Sequence, residues 1–218
     1  MNFSAENPPL RQAANRCATL KKTLIMNNIK LIFLIILTLS FEISFGQSTN
    51  CELTKSASEK IFIVDKDDII CLAKNSEKEK TLVYTFGIWC APCIKHLPNA
   101  IKLARENNLD FYVLLMDKEN SDKELNAIEF LKQIQEKINF EIKVINLKDE
   151  NGRPNKKYKQ FLTEITPPEF ENINDMSKYI VIDKKGKVLM VTNWKDNREY
   201  DWEDDSNMIK ERIMPILN

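Results

Sequence analysis

Glycine is scarce in this sequence and histidine nearly absent, with four glycines and a single histidine, His96, in 218 residues. That glycine content, with 43% hydrophobic residues, excludes a fibrous repeat or a disordered chain and leaves one ordinary globular core as the expectation. One histidine and no second Cys-x-x-Cys pair leave a four-ligand zinc site without its ligands. Charge of one sign is missing too, since Lys plus Arg and Asp plus Glu each total 32. No net field draws the protein to nucleic acid or to an acidic membrane surface, so partner choice has to come from local shape and chemistry.

A bilayer-length apolar stretch is also lacking. The run Leu31–Leu39 (LIFLIILTL) follows Lys30 and is cut short by Glu42, at about half of the roughly 20 residues needed to span a membrane. This is the layout of a secretory signal, with Ser44 and Gly46 as small residues before a cleavage point. Met26 is the expected start, because residues 1–25 would make an overlong polar leader. The organisation expected is an upstream extension over 1–25, a signal peptide over 26–46, a lead segment over 47–60 and one domain over 61–218. Export to the periplasm or cell envelope follows, with an uncleaved signal acting as anchor as the alternative. Cys17 then falls outside the mature chain, and Cys51, Cys71, Cys90 and Cys93 meet a compartment where disulfides persist.

Apolar periodicity orders the rest. Ile61–Val64 (IFIV), Thr81–Phe86 (TLVYTF), Phe111–Met116 (FYVLLM), Ile142–Ile145 and Tyr179–Ile182 read as strands, several apolar on both faces as in a parallel sheet. Between them, Asp67 is an expected N-cap before Ile69, Ile70, Leu72 and Ala73, and Ile94, Leu97, Ile101 and Ala104 mark one helical face. Ser121 with Glu124 forms a capping-box pattern before Leu125, Ile128, Leu131, Ile134 and Ile138, and Tyr158, Phe161 and Leu162 line a fourth helix. Asp183-Lys184-Lys185-Gly186 is a hairpin turn into Lys187–Thr192, and the region 201–217 is expected to be helical. This alternation predicts an α/β domain with a mainly parallel sheet, helices on both faces and an antiparallel edge.

The pair Cys90 and Cys93 falls where the strand 81–86 gives way to a helix. A cysteine at a helix N-terminus meets unpaired backbone N–H groups and the positive end of the dipole, which favour thiolate over thiol. Cys90 is therefore the expected nucleophile, and Cys93, one turn further in, the resolving thiol that breaks a mixed disulfide. Pro92 suits the first helical turn, and Trp89 offers an apolar contact surface to a partner.

The segment WCAPCIKHLP resembles the active-site motif of thioredoxin-like proteins, with Trp89 before the first cysteine, Pro92 between the two and Pro98 where the family kinks the helix. The helix and strand over about 121–145 resemble the insertion of TlpA/ResA-like exported members. The resemblance implies a thioredoxin-like fold with a central mixed sheet, helices on both faces and that added helix–strand unit. It also implies a redox-active disulfide Cys90–Cys93, no other cofactor and no metal. The partners implied are a protein carrying a disulfide or dithiol and an upstream dithiol electron donor. Two positions depart from the family. Tyr84 stands where thioredoxins place a buried Asp, and the usual cis-proline position falls on Ser177, after Met176, unless Pro167 or Pro168 occupies it. Met176 and Ser177 are thus expected to contact substrate.

Plainer readings accompany the rest. His96 is expected on the solvent side of its helix. Cys51 and Cys71 either form a disulfide or leave Cys71 as a small apolar residue on the inner face of its helix, the second being preferred. Asp201, Glu203, Asp204 and Asp205 read as a solvated helix start, and Trp194 and Trp202 as packing residues. The function expected is an exported thiol–disulfide oxidoreductase, in the reductase direction. The alternative from another class is a copper-handling module with Cys90 and Cys93 as soft ligands.

Overall fold

In a computed structural model, residues 51–56, 60–148 and 154–217 are described. They fall within the unit Thr49–Asn218. The expected upstream extension, signal peptide and Cys17 lie outside the described residues.

The strands are β1 (Thr54–Lys55), β2 (Phe62–Val64), β3 (Lys80–Phe86), β4 (Asp110–Leu115), β5 (Lys143–Leu147), β6 (Tyr179–Asp183) and β7 (Val188–Val191). The helices are α1 (Lys66–Lys74), α2 (Ala91–Glu106), α3 (Asp122–Ile138) and α4 (Pro154–Ile165). A C-terminal helix, α5, runs as Ser206–Met208, a π-helical turn Ile209–Ile213, and Met214–Leu217. All strands join one sheet in the order β1-β2-β5-β4-β3-β6-β7. Strands β2, β5, β4 and β3 are parallel, whereas β1, β6 and β7 pair antiparallel.

Period-two alternation along the strands splits the core in two. Leu82, Tyr84 and Phe86 of β3 face α2, α3 and α5, with Leu97, Ala104, Leu131 and Ile213. Val83, Leu114 and Ile180 face the other side, against Ile69 of α1 and Phe161 and Leu162 of α4. The fold class expected from the sequence is the one observed: an α/β arrangement whose central mixed sheet carries helices on both faces. The unit α3–β5 places β5 between β2 and β4, so it extends the parallel part of the sheet.

Local chemistry explains the element ends, with corrections to the expected residues. The N-cap of α1 is Asp65, not Asp67: its carboxylate accepts from the backbone N–H of Asp67 and Asp68, and Asp68 returns the bond. Ser121 caps α3 as expected, accepting from the Glu124 N–H at 3.3 Å. The Glu124 carboxylate, however, accepts from the Asn120 N–H, so the capping box is not reciprocal. Leu125, expected on the inner face, is exposed, and Glu124 is buried instead, because Asn146 of β5 supplies Glu124 with a buried hydrogen-bond donor. Gly186 has φ +82 in the β6–β7 turn, and a Cβ there would meet Lys74 and Ile70 at under 3.0 Å, so this turn requires glycine twice over.

Cys51 and Cys71 are joined in a disulfide, against the preferred reading of Cys71 as a plain apolar residue. Spacing alone does not determine pairing; the approach of the lead segment to α1 decides it. The bridge spans 20 residues, and closing a loop of that size stabilises by about 3 kcal/mol in the chain-entropy model. Replacing both cysteines by serine is expected to lower unfolding free energy by about 2–4 kcal/mol, read from urea denaturation of the two proteins under identical non-reducing conditions. An unchanged midpoint would show the bridge to be energetically idle.

Candidate functional site

The strand β3 ends at Phe86, and the chain turns through Gly87, Ile88 and Trp89 into α2. The Cys90 N–H donates to the Gly87 carbonyl at 2.9 Å, which closes that turn. Cys90 is the N-cap of α2, with Ala91 and Pro92 as its first two helical residues. Its sulfur accepts a hydrogen bond from the backbone N–H of Cys93 at 3.2 Å, as a side-chain cap does.

Cys90 and Cys93 form a disulfide. Cys93 is fully buried, and Cys90 retains 7% of its surface. The expectation of an exposed first sulfur is therefore corrected to a narrow opening, because the disulfide turns Cys90 inward toward its partner and Ile88 and Met176 pack against the same cluster. The order of access still holds, since an incoming thiolate meets Cys90 before Cys93.

Trp89 is 48% exposed. Its indole N–H donates to Asp117 Oδ1 at 3.0 Å, and the Lys123 ammonium lies 5.8 Å from its ring centroid. The ring thus stands at the surface with its polar edge fixed and an apolar face free for contact. Beneath it is a buried polar cluster. The Asp117 carbonyl accepts from Asn146 Nδ2 and from Lys157 Nζ, both at 3.0 Å, and Lys157 Nζ also donates to the Leu147 carbonyl at 2.8 Å.

Ser177 lies on the loop before β6 with φ +66, and there is no cis peptide bond among the described residues. Pro167 and Pro168 follow α4 and line a surface cleft with Lys66, Ile70 and Gly186. Ser177, not either proline, is the residue the structure brings to the cysteine pair. Its Oγ is 2.7 Å from the Tyr84 hydroxyl, which donates to the Cys93 carbonyl at 3.0 Å. Met176 is half-buried and packs against both core clusters.

Two groups that sequence reasoning assigned to solvent are inside. His96 is buried, with Nδ1 2.8 Å from Ser177 Oγ and Nε2 2.7 Å from the Trp202 carbonyl. Asp205 is fully buried: its Oδ2 accepts from the Tyr179 hydroxyl at 2.5 Å and its Oδ1 from Asn99 Nδ2 at 2.8 Å. The spacing that could have exposed His96 is its i,i+3 relation to Cys93, which places both on one helical face. Trp194 and Trp202, expected to pack, are instead exposed, because the chain around Trp202 contributes its backbone carbonyl to the interior. Among the described residues no group of three or more His, Cys, Asp or Glu side chains is arranged to hold a metal ion.

Burial raises the tyrosine hydroxyls. Tyr84, Tyr158 and Tyr179 are pushed up chiefly by desolvation, with Asp205 adding to the rise at Tyr84 and Tyr179 and Asp175 at Tyr158. Tyr112, buried beside Asp110, is pushed up to about 12 by desolvation and then by the Asp110 charge. Burial lowers Lys178, although Asp175 opposes the shift.

No family model matches this sequence, and no curated protein matches it. Among solved structures the chain is similar to the solution structure of a thioredoxin-like protein in the oxidized form, at 15% identity and a TM-score of 0.40, covering 71% of this chain and 84% of that one.

The four buried tyrosines, Tyr84, Tyr112, Tyr158 and Tyr179, hold their protons more tightly in the folded state than in the unfolded chain, where a tyrosine titrates near pH ~10. Their stabilising contribution is complete below that pH and is lost as pH climbs toward the folded values. Urea midpoints are expected to be flat from about pH 8 to about pH 9.5 and to fall steeply above about pH 10. Phenolate absorbance of these four should rise with unfolding, not before it. Replacing Tyr84 and Tyr179 by phenylalanine should soften that alkaline fall, and an equally steep fall would remove the assignment to these hydroxyls.

Proposed function

We propose that this protein is a thiol–disulfide oxidoreductase that reduces disulfides of other proteins through Cys90 and Cys93. The observation that carries the reading is the disulfide itself, set at the N-cap of α2 with Cys90 keeping 7% of its surface and Cys93 none. An exchange centre needs one cysteine that partners reach first and one that they do not.

In the reduced form, the Cys93 N–H and the helix dipole favour the Cys90 thiolate. That thiolate attacks one sulfur of a partner disulfide, forming a Cys90–partner bond and releasing the other partner sulfur as thiolate, which takes up a proton. Cys93, deprotonated, then attacks the Cys90 sulfur, forming the Cys90–Cys93 bond and releasing the second partner thiolate, which is likewise protonated. Two electrons pass to the partner, whose disulfide becomes two thiols, and two protons leave the protein dithiol. An upstream dithiol donor reverses the sequence by attacking Cys90.

The free face of the Trp89 ring, the ring of Pro92 and the Met176–Ser177 loop form the surface against which an extended partner segment is read. Export to the periplasm or cell envelope, in the manner of TlpA/ResA-like proteins, is the setting proposed. It is supported by the Leu31–Leu39 run and by Cys51–Cys71, a second disulfide of the kind that persists outside the reducing cytosol.

Insulin reduction with a dithiol donor tests the reading. Cys90→Ser is expected to lose at least about 100-fold in rate, because no other thiolate lies at that helix terminus. Cys93→Ser should stall after the first step and accumulate a mixed disulfide, seen as a mass increase that reductant reverses. Activity retained by Cys90→Ser sinks the nucleophile assignment, and a midpoint potential above about −150 mV sinks the reductase direction.

A further inference from the structure

Behind the disulfide runs a chain of four hydrogen bonds with a carbonyl oxygen at each end. In order, it links the Trp202 carbonyl, His96 Nε2, His96 Nδ1, Ser177 Oγ, Tyr84 Oη and the Cys93 carbonyl. A carbonyl oxygen only accepts. The hydrogen of Tyr84 is therefore committed to Cys93. The hydrogen of Ser177 must then point to Tyr84, since that contact has no other hydrogen to use. Ser177 Oγ faces His96 Nδ1 as an acceptor, so Nδ1 carries a proton. Nε2 faces the Trp202 carbonyl, so Nε2 carries one as well. Four bonds need four hydrogens, and Tyr84 and Ser177 supply two, which leaves two for the ring.

A neutral ring leaves one contact without a hydrogen. With the proton on Nε2, the two hydroxyls reverse and Tyr84 Oη meets the Cys93 carbonyl lone pair to lone pair at 3.0 Å. With the proton on Nδ1, the Nε2 lone pair meets the Trp202 carbonyl at 2.7 Å. Each is a buried contact between two acceptors, which a hydrogen would turn into a bond.

The surroundings supply the matching charge independently. Asp205 Oδ2 lies 3.5 Å from His96 Nδ1 in a fully buried position, and both its oxygens accept hydrogen bonds, from Tyr179 and Asn99. A buried carboxylate needs a cation beside it. Of the other groups near the ring, Asp204 is exposed and negative, Tyr84 and Tyr179 are neutral hydroxyls, and the Lys178 ammonium turns away to Asp175 and the Thr192 carbonyl.

We infer that His96 is held as an imidazolium with Asp205 as its counter-ion, and that it is a positioning residue which sets the hydroxyl chain of Ser177 and Tyr84 against the Cys90–Cys93 turn. Its value for exchange rests on the function proposed above. The ring lies one helical turn past Cys93 on α2, and it neutralises the buried Asp205 carboxylate that would otherwise stand behind the pair as an uncompensated negative charge, so in the reduced protein the imidazolium favours the thiolate. It also anchors the Ser177 loop beside the disulfide.

Because the chain has one histidine, nitrogen-15 spectra of the full protein with labelled histidine report this ring without assignment. At pH 7 the folded protein should show both ring nitrogens protonated, whereas the urea-unfolded chain shows an ordinary titrating imidazole. Asp205→Asn should remove the second proton from the folded ring. In the reduced protein, His96→Gln, which keeps polar contacts and loses the charge, should slow iodoacetamide alkylation of Cys90 at pH 6 by about three- to tenfold. Its pH profile should move alkaline by the same factor, a displacement that loosened packing does not produce. A singly protonated ring in the wild type at pH 7 overturns the inference, and so does an unchanged alkylation profile in folded His96→Gln. Should that variant not fold, the ring spectrum of Asp205→Asn decides, and a ring that stays doubly protonated there at pH 7 overturns the pairing. Neither readout involves a protein substrate. A charged ring in a protein that leaves insulin oxidised removes the exchange reading alone, and a neutral ring in an active reductase removes this inference alone.

Discussion

The Tyr84 hydroxyl donates to the Cys93 carbonyl, and that bond ties the first turn of α2 to the sheet. Tyr84 is fully buried in β3, opposite Tyr179 in the strand register, with the two rings edge to face at 5.1 Å. Its hydroxyl therefore cannot retreat to water, and a buried hydroxyl is costly unless its partners are present. Ser177 supplies the second partner from a loop whose positive φ aims its side chain back at the helix. His96 and Asp205 follow from the same requirement carried two residues further. A polar network of this kind is worth having only when complete, so one tyrosine hydroxyl at the end of a strand constrains a loop, a histidine and the segment ahead of α5.

What was legible in the sequence is what depends on neighbours in the chain. The strands of the sheet are runs of β-branched and aromatic residues, and the inner face of α2 repeats at Leu97, Ile101 and Ala104, because burial of such residues is set by period alone. Cys90 and Cys93 could be placed for the same reason, since a strand ending at Phe86 and a proline at Pro92 define a helix start. His96 and Asp205 could not. The contacts of His96 are 81 and 106 positions away, and a polar side chain reads as exposed until its distant partner is known. Glu124 went astray likewise, its partner Asn146 lying on β5. Trp194 and Trp202 failed in the opposite sense, because large size argues for burial only where a core has room left to fill.

The unit α3–β5 has a physical connection to the candidate site. Asn146 on β5 joins the Asp117 carbonyl to the Glu124 carboxylate on α3, and Lys157 on α4 ties the same carbonyl to Leu147. Asp117 in turn receives the indole N–H of Trp89. Helix α3 and strand β5 thus hold the residue that fixes the edge of the exposed ring, and the ring presents its face without rotating away. An apolar side chain half in water loses less rotational freedom on meeting a partner when one edge is already bound. The α3–β5 unit is then part of how the contact surface beside Cys90 is made.

Two disulfides in one chain invite the question of whether both are structural, and loop size answers it. The Cys51–Cys71 bridge closes a loop of 20 residues and Cys90–Cys93 one of three. In the chain-entropy account, the shorter closure is worth only about half the longer one. Restricting the unfolded chain is thus a weak reason for the second bridge, and the helix start it occupies is already held without it. The Cys90 N–H bonds Gly87, the Tyr84 hydroxyl holds the Cys93 carbonyl, and α2 packs through Leu97 and Ala100. A bridge that adds little to stability, in a frame able to keep its shape when the bridge opens, is suited to being opened and closed.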